Sequence, residues 1–284
     1  MAMTFAGAAP GQWIADALAG ILSQRPPVST VAAQIPAGFP AYARIFHPAA
    51  DEDGHPIRWS DIAAARGTVL HAGAQFAAVS GIDDTGMPWA EDAWDGEPPR
   101  GEGLPAADLA AVADIISHHA TGAAYLALWD GYAFIRGGEA VEVLTTAEPT
   151  GNPEAAERER LLREQLKRPA FSDAVLDGER LALGPEGYRG YHVFSGSLQD
   201  VASPVWKSGD GFAERQAPNL AWGADRSWMF STELYEDSTI IGGPAELIRE
   251  VVQDPRIEAL AVDLATDLGV NGDRINPAPE IDGY

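Results

Sequence analysis

The chain has 284 residues, of which 46% are hydrophobic and 21% are charged. This is the composition of a globular protein with a sizeable core, and it excludes a largely disordered chain. Nineteen basic against 42 acidic side chains give a net charge of −23. Such a surface disfavours nucleic acid and anionic membranes but allows a basic protein partner. The absence of cysteine excludes disulfides, thiolate nucleophiles and cysteine-ligated metal sites.

Nothing in the sequence predicts a membrane span or a secretory signal. No run of about twenty apolar residues is present, and residues 1–24 contain no basic residue ahead of their apolar stretch, which a signal peptide requires. We therefore expect a cytoplasmic protein.

The first half of the chain is predicted to mix helices with strands. Apolar residues at helical spacing predict helices over residues 13–22 and 104–119, and Ser60 can cap a short helix that begins at residue 61. The predicted strands are residues 28–35, 41–46, 125–129, 132–135 and 140–145. The pair 125–129 and 132–135 is expected to form a hairpin, because the Asp130-Gly131 dipeptide between them favours a tight turn.

The second half is predicted to be mainly strands. A boundary at residues 146–153 precedes a charged helix over 154–167, and a second helix covers 245–253. Strands are predicted at residues 181–183, 188–194, 228–234 and 239–241, with either a helix or a strand over 259–268. Because strands follow one another more often than they alternate with helices, we predict an α+β fold with largely antiparallel sheet.

We expect a single α+β domain over residues 1–284. The boundary at residues 146–153 suggests lobes at 1–148 and 154–268, and residues 269–284 are expected to form a loose tail.

An acidic segment over residues 81–103 contains two tryptophans, Trp89 and Trp94. The segment has one basic residue, Arg100, and seven carboxylates, those of Asp83, Asp84, Glu91, Asp92, Asp95, Glu97 and Glu102. A long irregular segment of this kind is typical of a functional or mobile loop. We interpret it as the place where a basic partner is expected to touch the protein.

No catalytic, cofactor or metal motif emerges. Gly242-Gly243-Pro244 lacks the lysine and hydroxyl residues of a phosphate loop, and residues 194–197 do not match a serine nucleophile elbow. His47, Asp51, Asp53 and His55 could form a metal loop, but the full set of calcium ligands is missing, so an exposed turn is favoured. We expect neither a metal nor a cofactor.

Residues 217–243 hold the densest group of candidate side chains. They include Asn219, Trp222, Asp225 and Arg226, and Glu233 follows at the end of the predicted strand. These residues favour either a ligand or partner surface or a structural corner with a buried ion pair. Both interpretations stay open at this point.

Three stretches of this sequence, residues 41–48, 218–228 and 237–243, resemble a family of actinobacterial proteins. The resemblance covers residues 35–265 and implies an intracellular housekeeping or accessory protein, without implying an activity, cofactor or catalytic residue. Gly223 follows a single tryptophan where the family pattern has a paired one followed by proline.

Three functions are compatible with these observations. The first is a non-catalytic binding protein, immunity-like or regulatory, that captures a basic protein partner; its candidate residues are Arg44, His47, Trp89, Trp94, Asn219, Trp222, Asp225, Arg226 and Glu233. The second is an enzyme with a polar cleft built from Arg44, His47, Asp225, Arg226 and Glu233. The third is a structural or oligomer-forming protein.

Overall fold

The computed structural model describes residues 3–83, 86–101, 103–137, 168–209, 212–234 and 236–276. The helices of this part are α1 (Gln12–Leu22), α2 (Trp59–Arg66), α3 (Phe76–Ser80), α4 (Ala106–His119), α5 (Asp173–Leu176), α6 (Leu198–Ala202) and α7 (Ala245–Gln253). The strands are β1 (Thr4–Phe5), β2 (Ala41–Phe46), β3 (Ala49–Ala50), β4 (Pro56–Ile57), β5 (Ala123–Trp129), β6 (Leu181–Leu183), β7 (Arg189–Ser197), β8 (Lys207–Gly209), β9 (Phe212–Glu214), β10 (Leu220–Gly223), β11 (Met229–Ser231), β12 (Ser238–Gly243) and β13 (Ala259–Ala261).

A nine-stranded antiparallel sheet organises the molecule. Its strand order is β1-β7-β5-β10-β11-β12-β2-β13, and β6 also pairs with β7. The predicted α+β class with largely antiparallel sheet is therefore confirmed. Strands from both halves of the chain contribute, since β2 lies between β12 and β13, and β5 lies between β7 and β10.

Helices and loops cover both faces of the sheet, so its central strands are buried on both sides. On one face, Leu126, Ala221 and Ile241 pack with apolar residues of α4, α6 and α7. On the other, the alternating neighbours, such as Ala127 and Ile240, pack with α1 and the segment around residue 31. This alternation is the two-residue period of a strand.

A third cluster of buried residues lies beyond the end of β2. Phe46 packs against Trp59 of α2, and Trp59 packs against Phe76 of α3, with ring centroids 4.9 and 5.0 Å apart. This cluster carries the acidic segment described below.

Two predicted strands are wrong. Residues 28–35 contain a 3₁₀ turn at Val31–Ala33, whose backbone bonds to the carbonyls of Leu264 and Thr266 instead of to the sheet. Residues 133–135 of the second lie within a 3₁₀ helix, Ala133–Arg136, which Tyr132 precedes. The expected hairpin is impossible because both edges of β5 are already occupied, one by β7 and the other by β10.

The chain after β13 is tied to the rest of the molecule as far as residue 276. The buried Asp273 carboxylate bonds to His71 Nε2 at 2.9 Å, and Asn276 Oδ1 accepts the N–H of Val69 at 2.8 Å. The strand expected at 140–145, the boundary at 146–153 and the helix at 154–167 lie outside the described residues, so the two lobes stay a prediction. No helix in the described ranges has the length and apolarity to span a bilayer.

Candidate functional site

Arg44 has a structural role. Its side chain is 1% exposed. The guanidinium donates to Ser238 Oγ at 2.8 Å, to the carbonyls of Ala72 and Ala74 at 3.2 and 2.7 Å, and to Asp237 Oδ1 at 3.0 Å. It also lies 4.7 Å from the centre of the Phe46 ring. With its donors engaged in this way, Arg44 fastens the loop at 72–74 to the sheet.

His47 lies just after β2 and is also buried. Its Nε2 is 2.9 Å from Thr239 Oγ1, which is 2.6 Å from Thr232 Oγ1. Burial lowers the pKa of His47 to about 4, against the opposing effect of Asp237. The imidazole is therefore neutral at physiological pH and takes part in a buried hydrogen-bond chain.

The five residues of the enzyme hypothesis are divided between opposite ends of the sheet. Arg44 and His47 lie where β2 ends and β12 begins, and Glu233 follows β11 at this same end and pairs with Arg189. Asp225 and Arg226 precede β11, in the turn that joins it to β10. There Arg226 is exposed, has a left-handed φ of 59° and lies 5.3 Å from the centre of the Trp13 ring.

Asn219 and Trp222 of the candidate set are buried. Asn219 accepts the N–H of Trp129 at 2.9 Å and donates to Tyr132 Oη at 3.1 Å. Trp222 is 1% exposed and stacks on Tyr125 with centroids 5.6 Å apart. Both side chains are held inside the fold.

The two tryptophans of the acidic segment anchor it to the third cluster. Trp89 donates its indole N–H to the carbonyl of Ala77 at 3.0 Å, and Trp94 packs edge-on against Phe76 with centroids 6.1 Å apart. The backbone of Glu97 pairs with that of Ala50 through bonds of 2.8 and 3.1 Å. The segment is thus fixed to the protein at three points.

Four carboxylates of this segment face solvent, those of Glu91, Asp92, Asp95 and Glu97. Asp92 accepts from Arg66 at 2.8 Å. The other three form no ion pair with any residue in the described ranges. The anchored segment therefore presents uncompensated negative charge.

A cleft of about 630 Å³, which the sequence did not suggest, opens beside the end of the sheet that holds Glu233. Its walls are the end of α1 with the following residues to Gln34, the turn at 184–189, and the loop after β11. Burial and the neighbouring Asp237 raise the pKa of Glu236, which lines this cleft, to about 7, against the effects of Arg44 and Arg189. A carboxyl group with such a shift in a concave site is a functional candidate. The only hint in the sequence is the position of Glu236 between Glu233 and Asp237.

The histidines do not form a metal site in the described part of the chain, where no group of three His, Asp or Glu residues could hold an ion. His55 pairs with Asp51 on an exposed turn at 3.2 Å. His118 and His119, at the end of α4, contact the two oxygens of one carboxylate, that of Glu250, at 2.7 and 2.6 Å.

Comparisons with protein-family models, with curated proteins and with solved structures found no match for this chain.

Proposed function

We propose that this is a non-catalytic binding protein, of an immunity-like or regulatory kind, that captures a basic protein partner. The contact surface in this proposal is the part of the acidic segment at residues 86–101. One observation carries it: the exposed carboxylates of Glu91, Asp95 and Glu97 stand on a segment that is fixed to the fold by Trp89 and Trp94.

Anchoring matters because an interface that is ordered before binding loses less conformational entropy when the complex forms. A mobile acidic loop would attract basic proteins of many kinds. A fixed arrangement of three carboxylates that pair with no described residue instead favours a partner whose lysines or arginines match it in space. The net charge of −23 acts in the same direction, because it accelerates the encounter with a cation-bearing surface.

The proposal can be tested with charge variants of the full chain. The triple variant Glu91→Gln, Asp95→Asn, Glu97→Gln removes three negative charges from the segment. The matched control is Asp173→Asn, Asp177→Asn, Glu179→Gln, which removes three exposed charges elsewhere. Each immobilised protein is used to recover partners from lysate at low and at high salt, and the affinity for each recovered partner is then measured with purified proteins.

We expect a basic partner that is retained at low salt by the wild type and by the control. The segment variant should bind the same purified partner about tenfold more weakly or worse, since charged contacts of this kind are worth roughly 1–3 kcal/mol together. Recovery of no salt-sensitive partner, or equal binding by the two triple variants, would contradict the proposal.

A further inference from the structure

The cleft between α1 and the turn at 184–189 has the size and walls of a small-molecule site. Its volume of about 630 Å³ falls within the roughly 300–1,000 Å³ of ligand pockets. Apolar side chains make up much of its surface, among them Ile21, Leu22, Val28 and Pro185. Such walls suit the hydrocarbon part of a ligand.

Two polar groups of the lining have no partner in the described part of the chain. Gln34 is 8% exposed, and its Oε1 accepts no hydrogen bond there. The carboxylate of Glu236 forms neither an ion pair nor a side-chain hydrogen bond with a described residue. Both can accept from a ligand. For the buried Gln34 Oε1, the lack of a donor is costly to maintain.

The two arginines of the lining differ in how their charge is compensated. Arg189 pairs with Glu233. Arg25, which is exposed, donates to the carbonyls of Leu22 and Gln24 at 3.5 and 2.7 Å. Arg25 keeps its charge, but water screens it because the side chain is exposed. Glu236 is half-buried, and the guanidinium of Arg189 beside it is already paired, so its carboxylate favours a cation over an anion.

We propose that this cleft binds a small organic cation, a primary ammonium or guanidinium group on a short apolar body. The cationic group donates to the Glu236 carboxylate and to Gln34 Oε1, and the apolar body lies against Val28 and its apolar neighbours. The site involves none of the residues of the acidic segment, so it is independent of the proposed capture of a basic protein.

The charges around Glu236 make binding depend on pH. Asp237 and Glu233 lie on its own loop, Arg44 reaches Asp237 from β2, and Arg189 faces it from β7. With a pKa of about 7, Glu236 goes from about one-tenth ionised at pH 6 to about nine-tenths ionised at pH 8. A ligand that stays protonated over this range should bind about tenfold more tightly at pH 8.

Isothermal titration of the full chain with three probes of similar shape tests the proposal. Phenethylamine carries the cation, 3-phenylpropionate an anion, and 3-phenylpropanol no charge. At pH 8 we expect the amine to bind at least about tenfold more tightly than either of the other probes, because its hydrogen bonds to the carboxylate are charge-assisted. Equal or tighter binding of the anion overturns the proposal.

Two variants connect the binding to the cleft. Glu236→Gln should weaken amine binding about tenfold and abolish its pH dependence, whereas Glu179→Gln, the same change on an exposed segment outside the lining, should have no effect. Val28→Phe narrows the cleft without touching a charge and should weaken binding of the amine at every pH. Amine binding that survives both cleft variants refutes the assignment.

Discussion

His47 is buried and Glu236 is half-buried, and the shifts of their pKa values have opposite effects on how stability depends on pH. For His47, burial disfavours the charged imidazolium, so its pKa falls from 6.5 to about 4. For Glu236, burial disfavours the carboxylate, so its pKa rises from 4.5 to about 7. Between pH 5 and 7 the unfolded chain protonates His47 while the folded protein protonates Glu236.

We expect His47 to make the fold less stable in acid. Its contribution is complete above pH 6.5 and is lost as the pH falls towards 4, because only the unfolded state takes up the proton. Replacing it by glutamine removes this dependence. The free energy of unfolding of His47→Gln, relative to the wild type, should rise by about 2 kcal/mol between pH 7 and pH 5.

Urea unfolding at several pH values measures this difference. His55→Gln, on the exposed turn after β3, is the control and should follow the wild type. A constant difference between His47→Gln and the wild type across this range would show that the imidazole does not titrate differently in the two states.

Glu236 should show the reverse slope. Its contribution to stability is complete below pH 4.5 and is lost as the pH rises through 7, because the folded state keeps the proton up to a higher pH than the unfolded state does. The free energy of unfolding of Glu236→Gln, relative to the wild type, should therefore rise by about 2 kcal/mol between pH 5 and pH 8. The same urea series tests it, and a gain towards acid pH instead would mean that a cation already compensates the carboxylate.

Sequence position could identify Arg44 and His47 as unusual but could not assign their partners. Both were candidates because polar residues at a strand end often line a site. Arg44, however, bonds to Ala72, Ala74, Asp237 and Ser238, which are 28 to 194 residues away along the chain. Whether its guanidinium is free or engaged depends on those long-range contacts, which no local pattern contains.

Helix α2 illustrates the same point for an element. The sequence predicts a start at residue 61 with Ser60 as the cap, but the helix begins at Trp59 and has no local side-chain cap. Instead, the carboxylate of Glu258, which lies just before β13, accepts the N–H groups of Trp59 and Ser60 at 2.8 and 3.0 Å. Capping from a distant segment leaves no signature near the helix.

We expect Glu258→Gln to destabilise the protein by about 1–2 kcal/mol, because it removes the negative charge from two free N–H groups at the positive end of α2. Urea unfolding gives the total loss, and amide hydrogen exchange at residues 59 and 60 gives its location. Glu179→Gln serves as the control for a change of charge alone. An unchanged exchange rate at these two amides would show that the cap has no energetic role.

At the scale of the whole molecule, the fold class was predictable because strand-like segments follow one another in both halves. Strand pairing was less predictable. β5 looked like one arm of a hairpin from its Asp130-Gly131 turn, yet it pairs with β7 and β10, whose sequences lie far downstream. The cleft also combines three separate segments, so only the folded chain brings Gln34 and Glu236 together.

The net charge of −23 has a consequence for the molecule as a whole. Six arginines of the described residues already pair with carboxylates, namely Arg44, Arg66, Arg180, Arg189, Arg249 and Arg256. The remaining carboxylates repel one another more strongly in the compact state than in the unfolded chain. Added salt screens exposed charges more than buried pairs, so repulsion weakens more than the Arg44 pair does.

We therefore expect the protein to become more stable as sodium chloride is raised from 20 to 500 mM. The gain should be on the order of 1 kcal/mol, or about 2–4 °C in Tm. Thermal unfolding at constant pH measures it. The variant Asp173→Asn, Asp177→Asn, Glu179→Gln carries three fewer negative charges, so its gain should be smaller. If stability instead falls with salt, attraction within the surface ion pairs outweighs repulsion among the other carboxylates. The excess negative charge would then not destabilise the folded state.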